Sequence, residues 1–195
     1  MPTGRPRAFD VDRALDRALE VFWRKGYQGA SLPDLTRAMG INRPSLYAAF
    51  GNKEALFRRA IDRYCEGTAC HVQQALREPT ARGVVERLLR GNVDLITDAG
   101  NPRGCFLVQG ALACGDAAES VRRELARRRA EGEVALRGRF ERAVAEGDLP
   151  GDADPADLAR YVATLAHGLA VQAAGGAGRD ELMRVAELAL RAWPS

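Results

Sequence analysis

Residues 31–53 read SLPDLTRAMGINRPSLYAAFGNK, and this stretch decides the fold. Ser31 suits a helix N-cap whose hydroxyl accepts a backbone N–H, while Asp34, three positions on, reaches back in a short capping box. Pro33 fits the first turn, where the donor it lacks has no intrahelical partner. Leu32, Leu35, Ala38 and Met39 recur at three- and four-residue steps, which gives this helix one apolar face. Gly40 ends it, because a residue without Cβ takes the left-handed conformation cheaply. Ile41 plugs the corner and Asn42 caps a second helix over 43–50, in which Leu46 and Phe50, four apart, face inward.

Two short helices joined by a Gly-containing turn make a helix-turn-helix, and the N-terminal half of the second helix is the part that meets base edges in a major groove. Arg43, Ser45, Ala48 and Asn42 face outward there. Arg43 is the candidate for a guanine edge, with Asn42 and Ser45 as further base-reading candidates. Tyr47 and Thr36 are candidates for phosphate oxygens, and so is Lys53, which stands beside the unpaired N–H groups of a helix starting near Asn52. Ahead of the first helix, Arg5 and Arg7 flank Pro6 in GRPR. Such an arm is narrow enough for a minor groove; an unstructured terminus is the plain alternative.

Around this motif the segment from Phe9 to Tyr64 closely resembles the N-terminal domain of TetR/AcrR-type transcriptional regulators. The marks are FWRKGYQGASLPDLTRAMGINRPSLYAAFGNKEALF: an aromatic-Gly pair before the first helix of the motif, SLY in the recognition helix, and F-x-x-K-E-x-L opening the next one. Pro44 stands where many members have Gly. The resemblance implies a DNA-binding domain at 1–52, followed by a helical effector-binding and dimerisation domain at 53–195. It further implies an all-α fold and a ligand-responsive regulator that binds a palindromic double-stranded operator as a homodimer.

Composition narrows the alternatives. The chain has 195 residues and is 46% hydrophobic, enough for one substantial core or two modest ones. No apolar run approaches the roughly eighteen residues of a membrane span, and MPTGRPRAF lacks the apolar stretch of a secretory signal, so a cytoplasmic protein without a membrane partner is expected. Net charge is only +3, but residues 1–65 carry twelve Lys and Arg against seven Asp and Glu, so the DNA-reading end is the cationic one. The four cysteines, at 65, 70, 105 and 114, form no C-x-x-C pair and are expected to be reduced. His71 and His167 are the only histidines, and neither lies near a nucleophile motif. Gly175-Gly176-Ala177-Gly178 connects helices and cradles no phosphate. No catalytic residue, enzyme activity or cofactor is expected.

Further along, a helix over 10–25 packs across the reading pair, and a long helix from Lys53 to about Leu76 links it to the rest of the chain. Thr80 caps a helix ending near Gly100. Gly104 to Gly115 reads as a short apolar helix, followed by a charge-rich one over 117–146. In the latter, Arg122, Arg123, Arg127, Arg128 and Arg129 alternate with Glu119, Glu124, Glu131 and Glu133, which reads as an exposed, salt-bridged face. Apolar stripes mark the last two helices, at about 155–174 and 179–193. Two such helices per subunit can form a four-helix interface about a two-fold axis, and in the resembled family this is where dimers form. Helices between 54 and 146 are expected to enclose a small-molecule pocket, with Tyr64, His71, Phe106 and Gln109 as lining candidates. Cys105 follows the turn NPRG, where unpaired N–H groups and Arg103 favour a thiolate, and some members of the resembled family sense electrophiles through a comparable thiol. Cys65, Cys70 and His71 supply ligand chemistry for a metal, although positions 65 and 70 diverge around a helix, and no metal site is assigned. A thiol- or metal-responsive regulator of the same fold, a helical protein-binding adaptor and a small thiol-dependent enzyme remain the competing classes.

Overall fold

The computed structural model describes residues 9–112 and 118–194, the side chains of residues 111 and 112 excepted. Arg5, Arg7 and Cys114 fall outside the described residues. Among those described, the chain is all-α: α1 (Val11–Gly29), α2 (Leu32–Met39), α3 (Arg43–Phe50), α4 (Lys53–Arg63), a π-helical turn (Tyr64–Thr68), α5 (His71–Ala75), α6 (Ala81–Thr97), α7 (Phe106–Leu112), α8 (Glu119–Ala145), α9 (Pro155–Ala174) and α10 (Arg179–Arg191). None is long and apolar enough to cross a membrane.

Two apolar clusters organise these elements. In the first, Leu15, Phe22, Leu35, Leu46, Phe57 and Ile61 bring together α1 to α4, and Phe106, Val121 and Leu125 close the cluster from α7 and α8. Its aromatic rings interlock: Phe22 and Phe57 lie edge to face at 4.9 Å, Trp23 and Tyr64 at 5.0 Å, and Phe57 and Phe106 at 5.3 Å. Each such pair contributes about 0.5–1.5 kcal/mol beyond the area it buries. Trp23 completes the seam by donating its Nε1 hydrogen to the Gly104 carbonyl at 3.2 Å. The second cluster packs α6 against α9 and α10, with Leu89, Ile96, Phe140, Val162, Leu169 and Leu182 at its centre.

One expected element is different. The long helix from Lys53 to about Leu76 is interrupted: the Ala69 N–H donates to the Tyr64 carbonyl at 2.8 Å, five residues back, and α5 starts afresh at His71. Tyr64 is 1% exposed and fixed against Trp23 and Phe106, whereas Gly67 three residues later has open space where a Cβ would stand and a weak helical preference. The extra residue in the turn therefore separates the direction of α5 from that of α4. Beside it, α5 meets α6 at Gly91. A Cβ there would lie 2.8 Å from His71 Cδ2 and 3.0 Å from Cγ, so only glycine permits this approach.

Candidate nucleic-acid interface and effector cavity

Local hydrogen bonds hold the reading pair together. Ser31 Oγ accepts the Asp34 N–H at 3.2 Å, and Asp34 Oδ2 accepts the Ser31 N–H at 3.2 Å, so the capping box closes in both directions. Lys25 Nζ sits 2.9 Å from Asp34 Oδ1. This ammonium first, and then the Ser31 donors, holds the Asp34 carboxyl down at about 2. Gly40 takes the left-handed conformation at φ 68°, and the Ile41 N–H returns to the Thr36 carbonyl at 3.1 Å. Arg17 Nη1 donates to the Ala38 carbonyl at 3.2 Å, satisfying the end of α2.

α3 then projects a polar front. Leu46 and Phe50 are buried beneath it, whereas Arg43 is exposed and Tyr47 is 45% exposed. Asn42 Oδ1 accepts the Ser45 N–H at 2.9 Å, which leaves the Asn42 amide hydrogens facing solvent. Ser45 is half-buried. Arg59 braces the far end of α3, with Nη1 on the Ala49 carbonyl at 3.2 Å and its guanidinium 4.7 Å over the Phe50 ring. Thr36 is half-buried, and its hydroxyl donates to the Leu32 carbonyl at 2.9 Å within its own helix.

Lys53 opens α4 just after Asn52, whose Oδ1 accepts the Ala55 N–H at 2.8 Å. Its ammonium lies 4.6 Å over the ring of Tyr27, and partial burial lowers its titration from the usual lysine value. Tyr27 also packs edge to face on Phe57 at 5.2 Å, so the platform beneath Lys53 is fixed to the core. In the sequence Tyr27 is marked only by the aromatic-Gly pair before α2, which does not convey this contact. The partners are 26 positions apart, and only their shared packing on α4 brings them together.

At the other end of α4 lies a cavity of about 280 Å³. Tyr64, His71 and Cys105 line it, together with Leu88, Asn92, Leu136, Arg129 and His167. Tyr64 donates its hydroxyl proton to Cys105 Sγ at 3.3 Å. Burial pushes the Tyr64 phenol well above its ordinary range and the Cys65 thiol up to about 11. Burial also lowers both histidines, with Arg129 adding to the effect at His167, so they are neutral at pH 7. Two expected lining residues are elsewhere. Phe106 is 0% exposed and belongs to the aromatic seam, and Gln109 lies in a surface groove with Trp23 and Arg103. Arg103 is thus on a different surface from the cavity that Cys105 faces. Among the described residues, no group of three or more His, Cys, Asp or Glu is placed to hold a metal.

Most of the arginine stripe on α8 is salt-bridged as its spacing suggested. Arg122 and Arg123 meet Glu119, Arg127 meets Glu124 and Glu131, and Arg128 meets Glu124 at 2.9 Å and also Asp62. Arg129 does not follow them. It turns inward, donates Nη1 to the Leu107 carbonyl at 2.7 Å and lines the cavity.

Comparison with known proteins places both halves of the chain. The family model for bacterial regulatory proteins of the tetR family matches residues 14–60, and that for the tetracyclin repressor-like C-terminal domain matches 80–187. The HTH-type transcriptional repressor ComR of Escherichia coli (strain K12) is 33% identical over 193 residues, covering 98% of this chain and 92% of ComR. A cysteine mutant of the TetR family transcriptional regulator CifR, complexed with 26bp double-strand operator DNA, is 48% identical. It superposes with a TM-score of 0.93, covering 97% of this chain and all of that one. A TetR regulator of Chloroflexus aurantiacus J-10-FL shares the fold at 19% identity, with a TM-score of 0.81 and coverage of 92% of this chain and 91% of that one.

Proposed function

The chain belongs to the TetR family of bacterial regulatory proteins, and from that membership we propose that it is a transcriptional repressor that binds a palindromic operator as a homodimer and is released by a small molecule. The observation that carries this reading is the polar front of α3. Arg43 and the Asn42 amide face solvent, Leu46 and Phe50 anchor the helix from behind, and Lys53 stands over Tyr27. Base edges are read by the first group and phosphates by Lys53 and Tyr47.

A dimer supplies the second reading head. Val171 on α9, with Val185 and Leu188 on α10, are large apolar side chains left 44% to 59% exposed in the monomer, and they offer the surface for a four-helix interface. Two copies of α3 then sit about 34 Å apart or somewhat more, on successive major-groove faces. Release works through α4, which starts at Lys53 and runs to Arg63, directly before Tyr64 on the cavity wall. A ligand acts only if it favours one separation of the reading heads over the other.

Selection of bound duplexes from a random pool, followed by footprinting and sedimentation, tests the core of this reading. A protected inverted repeat and a dimer are expected. A strictly monomeric protein, or uniform affinity for random DNA, refutes it.

A thiol-responsive variant of the same function has its own support in the Tyr64 hydroxyl held on Cys105 Sγ inside the cavity. Alkylation with N-ethylmaleimide is then expected to weaken operator binding, with Cys105→Ser protecting it. Equal loss in both proteins rules this variant out.

A further inference from the structure

Arg129 gives the cavity a chemical preference. The other charged side chains around it already have partners: Arg128 with Glu124 and Asp62, Glu131 with Arg127, and Glu133 with Arg160 at 2.7 Å. Among the described residues Arg129 donates to the Leu107 carbonyl and forms no ion pair, although a guanidinium carries five N–H donors. The rest of the wall is largely apolar, with Leu88, Leu95, Leu107 and Leu136. A cation without an ion-pair partner on a largely apolar wall is complementary to an acceptor-bearing head on an apolar body.

We propose that the cavity takes a small amphipathic acid, whose carboxylate pairs with Arg129 and whose hydrocarbon part lies along the leucines. This deepens the effector reading above and rests on it. The cavity's 280 Å³ corresponds to roughly nine water-sized groups at about 30 Å³ each, so an acid of about ten non-hydrogen atoms matches its size. The neutral state of His71 and His167 at pH 7 adds no competing charge. The arginine fork also distinguishes a carboxylate from a hydroxyl, because it binds the former through two parallel hydrogen bonds.

Octanoate and 1-octanol have the same chain and differ at the head, so they serve as probes. Calorimetric titration of each into the full-length protein at pH 7 is expected to show octanoate binding at least tenfold tighter. In Arg129→Gln that advantage collapses, while octanol affinity and thermal stability hold; Arg129→Lys keeps part of it. Octanol binding as tightly as octanoate, unchanged octanoate affinity in Arg129→Gln, or no octanoate binding overturns the assignment. Operator affinity with saturating octanoate separates the two levels. Selective binding without release supports the acid preference and contradicts the effector mechanism. Release by octanol alone contradicts the acid preference and leaves that mechanism standing.

Discussion

Lys53 and Tyr27 form a pair whose two halves should fail differently. If the Lys53 ammonium meets a phosphate in each half-site, a dimer loses two such contacts in Lys53→Ala. At about 0.9 per phosphate, the slope of log affinity against log salt then falls by about 1.8. Tyr27 acts here through its ring, which carries the ammonium at 4.6 Å and packs on Phe57 at 5.2 Å. Replacing it with Leu keeps an apolar group against Phe57 but removes the ring, at about 0.5–1 kcal/mol per subunit. For a dimer that is about 1–2 kcal/mol, or roughly 5- to 30-fold in affinity, with the salt slope retained. Fluorescence anisotropy on a labelled operator, repeated over a series of KCl concentrations, reads both quantities. An unchanged slope in Lys53→Ala, or an equal fall of slope in the two variants, refutes the division of labour.

Three further outcomes follow from the geometry. Arg43→Ala should cost about 1–3 kcal/mol on the cognate site and relax preference at one base position per half-site, as a competition assay with single-substitution operators would register; equal loss on random DNA would contradict the base assignment. Gly91→Ala forces a methyl to within 2.8 Å of the His71 ring, so the α5–α6 contact must open, with an expected loss of about 1–3 kcal/mol in urea unfolding and none if His71 swings away freely. Asp34 has a folded value of about 2 against about 3.9 unfolded, so its contribution is complete above about pH 4 and lost as pH falls toward 2. The stability gap between the protein and Asp34→Asn should therefore close across that window, and a gap independent of pH would falsify the role given to the Lys25 pair.

The reading pair was legible because its determinants are local. Ser31 with Asp34, Gly40, and Asn42 with Ser45 interact within a few positions, and spacing alone conveys them. What escaped depends on partners distant in the chain. Arg129 sits in a stripe whose other members pair at three- and four-residue steps, and nothing in that rhythm marks the one turned toward Leu107, 22 positions away. Phe106 was expected on the cavity because an apolar residue near Cys105 suits a pocket as well as a core; the rings of Trp23, Phe57 and Tyr64 claim it instead. The π-helical turn left no trace in the hydrophobic pattern, since Leu56, Phe57, Ala60 and Ile61 end before it and α5 is too short to establish a new phase.

The seam at α4 also dictates how this molecule can be recombined. Leu56, Phe57, Ala60 and Ile61 fill the interior beneath α1 to α3, although the visible turn at Gly51 invites a cut in front of them. Just past them Arg63 reaches back to Asp16 at 2.7 Å, while its neighbour Asp62 reaches forward to Arg128. A chimaera that borrows another relative's operator preference should be spliced beyond residue 64, carrying α4 with the donor head and restoring the acid at 62 that the host's α8 expects. Spliced at the turn, the graft exposes an unfilled hollow on one side and an unmatched helix on the other.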